Sequence, residues 1–248
     1  MHDSNSAMQQ NLFAAWLTSI AHGLLPGQCA LCGQNCADPL CSNCIARHVH
    51  TPTERCTCCG IPLQSSDKSS LCGGCLSNPP SFDATVVATA YAAPIDQLVQ
   101  GLKFHARLPL AATFARLLAL AFTEDMICQI DLITIVPLSR ARLAERGFNQ
   151  AMEIARPLAR LLKKPLLPSL SLRVRDTSAQ ASLPLSERRV NMRSAFAVHD
   201  RQKLTGQRLL VVDDVMTTGC TLNELAACLK RHGALRVTNA VFARTAPH

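Results

Sequence analysis

Apolar positions between residues 82 and 246 fall into two alternating textures. Residues 84–91 (ATVVATAY), 131–136 (DLITIV), 208–212 (RLLVV) and 236–242 (RVTNAVF) are short runs rich in β-branched residues and predict strands. Between them, residues 94–102, 110–122, 148–163 and 221–231 carry helical spacing. The first of these helices opens with Pro94 in its first turn, the third contains Pro157, and the last is closed by Gly233. Shorter strands are expected near residues 170–174 and 195–198. Strands alternating with helices predict an α/β domain, a parallel sheet flanked by helices. At the other end, residues 12–25 (LFAAWLTSIAHGLL) are apolar but interrupted by Thr18, Ser19 and His22, too short to span a bilayer and without basic residues in front. They predict an amphipathic leading helix within residues 1–28 and no secretion signal.

The chemistry concentrates where one strand runs into a helix, in residues 209–224 (LLVVDDVMTTGCTLNE). Leu209 to Val212 read as a strand covered on both faces, and ligands of open parallel sheets gather at carboxyl ends of strands. Asp213 and Asp214 arrive there as two acceptors for a pair of vicinal hydroxyls. Met216, Thr217, Thr218, Gly219, Cys220 and Thr221 then form a hydroxyl-bearing loop that opens a helix, where backbone N–H groups and the helix dipole favour a phosphate. No Lys-Ser/Thr pair follows the glycine, so the loop is not that of a nucleoside triphosphatase.

Between the leading segment and the α/β pattern, ten of the thirteen cysteines fall in residues 29–75. Cys29 and Cys32 are followed after eight residues by Cys41 and Cys44; Cys56 and Cys59 are followed after twelve by Cys72 and Cys75. Each quartet makes two Cys-x2-Cys knuckles, able to present four thiolates to one zinc ion, so residues 29–78 predict a double zinc ribbon holding one or two ions. A disulfide framework is the rival reading, weakened by the lack of a signal peptide. Cys36 and Cys58 are left over, and His48 and His50 stand near the knuckles as substitute ligands. So short a segment, poor in large apolar residues, needs metal to fold, which makes the zinc structural.

The formal charge of +8, from 25 basic and 17 acidic residues, favours polyanionic ligands. With one Trp, one Tyr and eight Phe, the chain offers no extended base-stacking platform. Residues 137–150 (PLSRARLAERGFNQ) begin where a strand ends and offer Arg140, Arg142, Arg146, Asn149 and Gln150. Residues 173–193 form a polar stretch with Arg173, Arg175, Gln180, Arg188 and Arg189, long enough for a mobile lid.

Asp213 to Thr221 resemble the 5-phosphoribosyl-1-diphosphate (PRPP) motif of type I phosphoribosyltransferases, with Cys220 where that family usually has Ala or Ser. The resemblance implies that Asp213 and Asp214 hold the ribose hydroxyls and residues 216–221 wrap the 5′-phosphate. It also implies that the loop after residues 131–136, with Arg140, Arg142 and Arg146, meets the diphosphate, with Mg2+ accompanying PRPP. From residue 29 to 244 the chain is similar to the ComF family: the double zinc ribbon, a Lys103-Phe104 segment, RGFNQ, a segment with Gln180, Leu183 and Arg188, and the PRPP motif. Lys103 is thereby placed with the diphosphate ligands. The family implies a type I phosphoribosyltransferase-like sheet over residues 82–246 preceded by the cysteine-rich module, and a role in DNA uptake or utilisation. Three functions stay open: a transferase of unknown acceptor, a PRPP-sensing adaptor without turnover for the uptake machinery, and a zinc-dependent binder of single-stranded DNA. Its expected location is cytoplasmic, reaching the inner face of the membrane through partners.

Overall fold

The computed structural model describes residues 27–49, 54–63, 69–174, 195–199 and 204–246. Residues 12–25, with the expected leading helix, and Arg175, Gln180, Leu183, Arg188, Arg189 and His50 lie outside them. The chain divides into two units between His48 and Val49. The first carries the Cys29 quartet, a bridge between Gln28 and Asn35, and a short helix α1 (Ser42–His48).

In the second unit a four-stranded parallel sheet runs in the order β1 (Ala84–Ala90), β6 (Arg236–Arg244), β5 (Arg208–Met216), β2 (Leu132–Ile135). Leu209 pairs with Leu132 on one side and Val237 on the other, which places β5 and β6 at the centre. The expected strands at 170–174 and 195–198 do form, as β3 (Ser171–Arg173) and β4 (Phe196–Val198), yet they pair antiparallel as a separate ribbon. Each has three residues, and among the described residues they pair only with each other.

Strand alternation sends neighbouring side chains to opposite faces. On one face pack α4 (Pro109–Ala119) and α7 (Gln150–Leu162), and Phe114 of α4 stacks on Phe242 of β6 at 3.6 Å between ring centroids. Helix α7 buries Ala151, Ile154, Ala155, Leu158 and Leu162, the i, i+3, i+4, i+7 stripe that its sequence predicts, with Pro157 accommodated inside it. Asn149 starts this helix: its Oδ1 accepts from the N–H groups of Ala151 and Met152, and its Nδ2 donates to the Val136 carbonyl at 3.1 Å. That cap ties the helix to the end of β2.

On the other face α8 (Cys220–Arg231) lays Leu222, Leu225, Ala226 and Leu229 against Leu209, Val211, Val237 and Val241. The same core takes in Cys56, Cys58, Cys59, Cys75 and Phe82. The second knuckle pair, with its short helix α2 (Gly73–Ser77), is thus packed into the α/β unit. Gly60 of the knuckle needs its φ of +72° and its missing side chain, since a Cβ would come within 2.5 Å of the Val87 methyl in β1. Elsewhere α3 (Ile95–Phe104) follows β1, α5 (Glu124–Cys128) is a short helix capped by Thr123, and α6 (Arg140–Arg146) follows β2.

Candidate functional site

β5 continues four residues beyond its partner β2, which ends where Ile135 pairs with Val212. Asp213 still pairs with Val241 of β6, so the two acids lie within the extended strand rather than after it, beyond the level at which the neighbouring strand has stopped. Alternation places them on opposite sides of the strand. Asp214 is 6% exposed and receives Lys103 Nζ at 2.9 Å. Asp213 keeps partial solvent access. Burial and the Asp214 carboxylate beside it push Asp213 up to about 8, while Lys103 pulls in the opposite direction. A second cation or hydroxyl donors at this point would meet an acid pair with one charge compensated and the other held back.

Past Asp214 the chain turns through Thr217 and Thr218, both exposed, to Gly219, the N-cap of α8. Gly219 sits at φ +79°, and a Cβ there would come within 2.5 Å of Met216 Cε. Cys220 N donates to Thr218 Oγ1 at 3.4 Å. The first turn of α8 has N–H groups without partners inside the helix, and the exposed threonine hydroxyls stand beside them: donors suited to a phosphate. Met216 contributes differently from its neighbours. Its side chain is 2% exposed and belongs to the core, so only its backbone is offered to the loop.

Lys103 and Phe104 end α3 and are split between two partners: Lys103 takes Asp214, and the ring of Phe104, 65% exposed, carries the Arg146 guanidinium 5.3 Å above its centroid. Arg146 is thereby brought to the helix end that reaches the acidic pair. Helix α6, which carries Arg140, Arg142 and Arg146, is fixed by Ser139 accepting from Arg142 N and by Gly147 at φ +77°. Arg140 is exposed and Arg142 half-buried, and among the described residues neither forms an ion pair. Asn149 caps α7, and Gln150 beside it is 3% exposed with its side-chain Nε2 unpartnered among the described residues.

The residue that sequence reasoning passed over is Arg244, at the end of β6 and 7% exposed. Its Nε donates to the Cys59 carbonyl at 3.0 Å, and its Nη1 donates to the carbonyls of Met216 at 3.1 Å, of Thr245 at 3.0 Å, and of Thr217. One side chain thus joins the second knuckle to the loop. The sole signal in the sequence is a charge closing an apolar strand. A cleft of about 550 Å³ lies between the same two parts, lined among others by Cys59, Cys72, Thr218, Gly219 and Arg244.

Both cysteine quartets fit a metal. Four thiolates about 2.3 Å from a tetrahedral ion stand about 3.8 Å from one another. The Sγ atoms of Cys32 and Cys41 are 3.7 Å apart and those of Cys59 and Cys72 3.6 Å, and within each quartet all four sulfurs lie within 4.8 Å. A disulfide needs about 2.05 Å, and the cysteines are free. Knuckle amides point at the sulfurs: Cys41 N to Cys29 Sγ at 3.4 Å, Cys72 N to Cys56 Sγ at 3.3 Å. Burial opposes ionisation of Cys29 and Cys56, yet such hydrogen bonds bring them down to about 6 and about 7. Cys36 and Cys58 stay outside the quartets, Cys36 donating to the Asp38 carbonyl and Cys58 to that of Phe82. Two cysteine tetrads able to bind zinc are therefore present.

Comparison with known proteins agrees with this assembly. A phosphoribosyl transferase domain profile matches residues 144–247. The DNA utilization protein YhgH of Escherichia coli (strain K12) is 35% identical over 228 residues, 89% of this chain and 98% of the relative. Competence protein F of Haemophilus influenzae is 35% identical over 199 residues, 78% of this chain and 85% of the relative. The chain belongs to the ComF family. Among solved structures, glutamine PRPP amidotransferase from B. subtilis complexed with ADP and GMP superposes with a TM-score of 0.36 at 19% identity, over 53% of this chain and 25% of that one. For a ComF protein the parts expected from sequence are in place: the type I phosphoribosyltransferase-like sheet, the strand–loop–helix and the two tetrads. No helix among the described residues is long and apolar enough to cross a membrane.

Proposed function

We propose that this ComF protein binds PRPP with Mg2+ between Asp213 and Thr221 and serves DNA uptake or utilisation, with structural zinc in both tetrads. The observation that carries the reading is the arrangement at the end of β5: two carboxylates on a central strand, a left-handed glycine, and the first turn of a twelve-residue helix, in immediate succession. Asp213 and Asp214 would accept from the ribose hydroxyls, and residues 217–221 would donate to the 5′-phosphate. Arg146, held over Phe104, and Arg140 and Arg142 on the same helix would meet the diphosphate, where guanidinium forks match phosphate oxygens. Lys103, paired with Asp214 at 2.9 Å, would turn to the diphosphate as the sugar hydroxyls take its place on the carboxylate. Mg2+ would neutralise charge on the diphosphate and so favour its departure from the anomeric carbon.

The context of DNA utilisation is supported by the names of YhgH and competence protein F, to which the chain is similar along most of its length. Whether PRPP is turned over or sensed is decided by the acceptor, for which no general base stands out beside the acidic pair among the described residues. Calorimetry with Mg2+-PRPP tests the binding step. Micromolar binding by the wild type and its loss in the double variant Asp213→Asn, Asp214→Asn support the reading, while equal affinity for both proteins overturns it. Incubation of the same protein with labelled PRPP and candidate bases, read as diphosphate release, separates transferase from sensor.

For direct contact with single-stranded DNA, Arg47 in the last turn of α1 is exposed, whereas Arg55 donates from Nη1 to the Gly60 carbonyl at 2.8 Å and its Nε and Nη2, though without partners among the described residues, are buried. Retention of single-stranded DNA on filters that fades with salt, at a log–log slope of roughly −0.7 per phosphate contact, marks a direct role. No retention at low salt marks a role through protein partners.

A further inference from the structure

In the loop that follows β5, carbonyl oxygens and amide hydrogens compete for direction: carbonyls drawn back toward the protein leave the amides facing outward. Arg244 draws them back. Its guanidinium takes the Met216 and Thr217 carbonyls together, and Thr245 Oγ1 adds a donor to the Thr217 carbonyl at 3.4 Å. The other end of the same fork rests on the Cys59 carbonyl, inside a Cys-x2-Cys knuckle. That knuckle is a closed turn, with Gly60 N donating to the Cys56 carbonyl at 2.8 Å and Cys56 N to the Ile61 carbonyl at 2.8 Å. It holds two of the four sulfurs of the second tetrad. The linker after that tetrad is tied to α8 as well, through Ser81 N donating to Asn223 Oδ1 at 2.6 Å.

We propose that Arg244 is a positioning residue that couples occupancy of the second cysteine tetrad to the shape of the phosphate loop. The argument rests on the PRPP reading for the ligand, though not for the coupling itself. A metal held by four thiolates carries a net charge of −2, and a buried guanidinium beside it is retained where an unpaired one would be expelled. With metal bound, the knuckle presents the Cys59 carbonyl at a fixed point and Arg244 spans from it to the loop. Without metal, the turn between Cys56 and Ile61 loses its anchor, Arg244 loses its partner and its compensating charge, and the loop carbonyls are released. By reciprocity, a ligand that fixes the loop holds the metal more firmly.

Hydrogen–deuterium exchange on the zinc-loaded full chain, followed by mass spectrometry, tests it in wild type, Arg244→Gln and Arg244→Lys. Arg244→Lys retains a charge but cannot span from the Cys59 carbonyl to those of Met216 and Thr217, and it serves if the glutamine variant folds poorly. The expected result is about tenfold faster exchange in peptides covering 213–221 in both variants, with zinc content and the exchange of peptides covering 56–75 unchanged. Zinc release to a chromogenic chelator gives the reciprocal readout, which a merely structural arginine would not move. Saturating PRPP should slow one of two release phases by about tenfold in the wild type and neither phase in the variants. Wild-type loop exchange in both variants, or PRPP protection of zinc that survives Arg244→Gln, overturns the proposal. If calorimetry shows that the wild type does not bind PRPP, the functional reading fails, and the exchange comparison alone decides the coupling.

Discussion

Replacing Asp213 with Asn should stabilise the ligand-free protein in alkaline solution while removing its hold on ribose. In the folded chain Asp213 keeps its proton up to about pH 8, because burial and the Asp214 carboxylate disfavour a second negative charge; in the unfolded chain it releases it near 3.8. Between those values the native state binds one more proton than the unfolded state, so stability falls as pH rises through that window and the full cost is present above about pH 8. At about 1.4 kcal/mol for each unit, the whole shift would amount to about 6 kcal/mol. The Asp213 side chain retains solvent access, and Lys103 lies within a residue of it on Asp214, so about 2 kcal/mol is the expected expression. Asn is neutral throughout and escapes this cost. Urea unfolding followed by circular dichroism, without Mg2+, should therefore find Asp213→Asn more stable than wild type by about 0.6 kcal/mol at pH 5, early in that window, and by about 2 kcal/mol at pH 9. A difference that is constant across that range, or that favours the wild type at pH 9, refutes the assignment of a retained proton to Asp213.

Other consequences can be checked with less. Cys56→Ser should release one zinc equivalent and lower the melting temperature of the α/β unit by several degrees, since Cys56 is fully buried in the same core as α8. Cys29→Ser should release the other equivalent and leave that transition in place; loss of the α/β transition in Cys29→Ser would contradict the division at His48. Gly219→Ala forces a side chain into a left-handed turn and onto Met216, and should cost about 1–2 kcal/mol in stability and at least tenfold in PRPP affinity, read by calorimetry. Asp131→Asn removes a carboxylate that accepts from Arg208 N, Nε and Nη2, joining the starts of β2 and β5. Arg208 holds Asp131 down to about 2, so its contribution of about 1 kcal/mol is present above pH 3.8 and fades as pH falls through 2; a variant as stable as the wild type at neutral pH in urea titrations, or a deficit that persists unchanged in strong acid, would remove it.

What could be read from sequence were features built from neighbours along the chain. The runs 84–91, 131–136, 208–212 and 236–242 became the four strands of the main sheet, because a parallel strand covered on both faces must be apolar along its length. The knuckles were legible because four cysteines at short spacing have few other uses, and the acid-acid-threonine-glycine series because it lies within one turn of chain. Helix α5, five residues with none buried, has no apolar stripe and gave no signal. The ribbon of β3 and β4 was visible as two strands but not as a separate pair, since pairing direction depends on a partner more than twenty residues away.

The functional links that stayed hidden are all long-range. Lys103 was named only through the ComF resemblance, and its partner Asp214 stands 111 positions further on, in a strand while Lys103 ends a helix. Arg244 lies 185 positions beyond Cys59 and reaches it because β6 runs parallel to β1, against which the knuckle packs. A charged residue at the end of an apolar strand ordinarily marks the point where the chain meets water, and on that rule Arg244 would be solvated. It is buried instead because the second tetrad covers the end of the strand, so a residue that belongs to the phosphoribosyltransferase-like sheet by sequence belongs to the metal module by contact. In this chain the second tetrad and the sheet, which look like separate domains in sequence, therefore meet at Arg244, and the loop after β5 is held in shape from both sides of that junction.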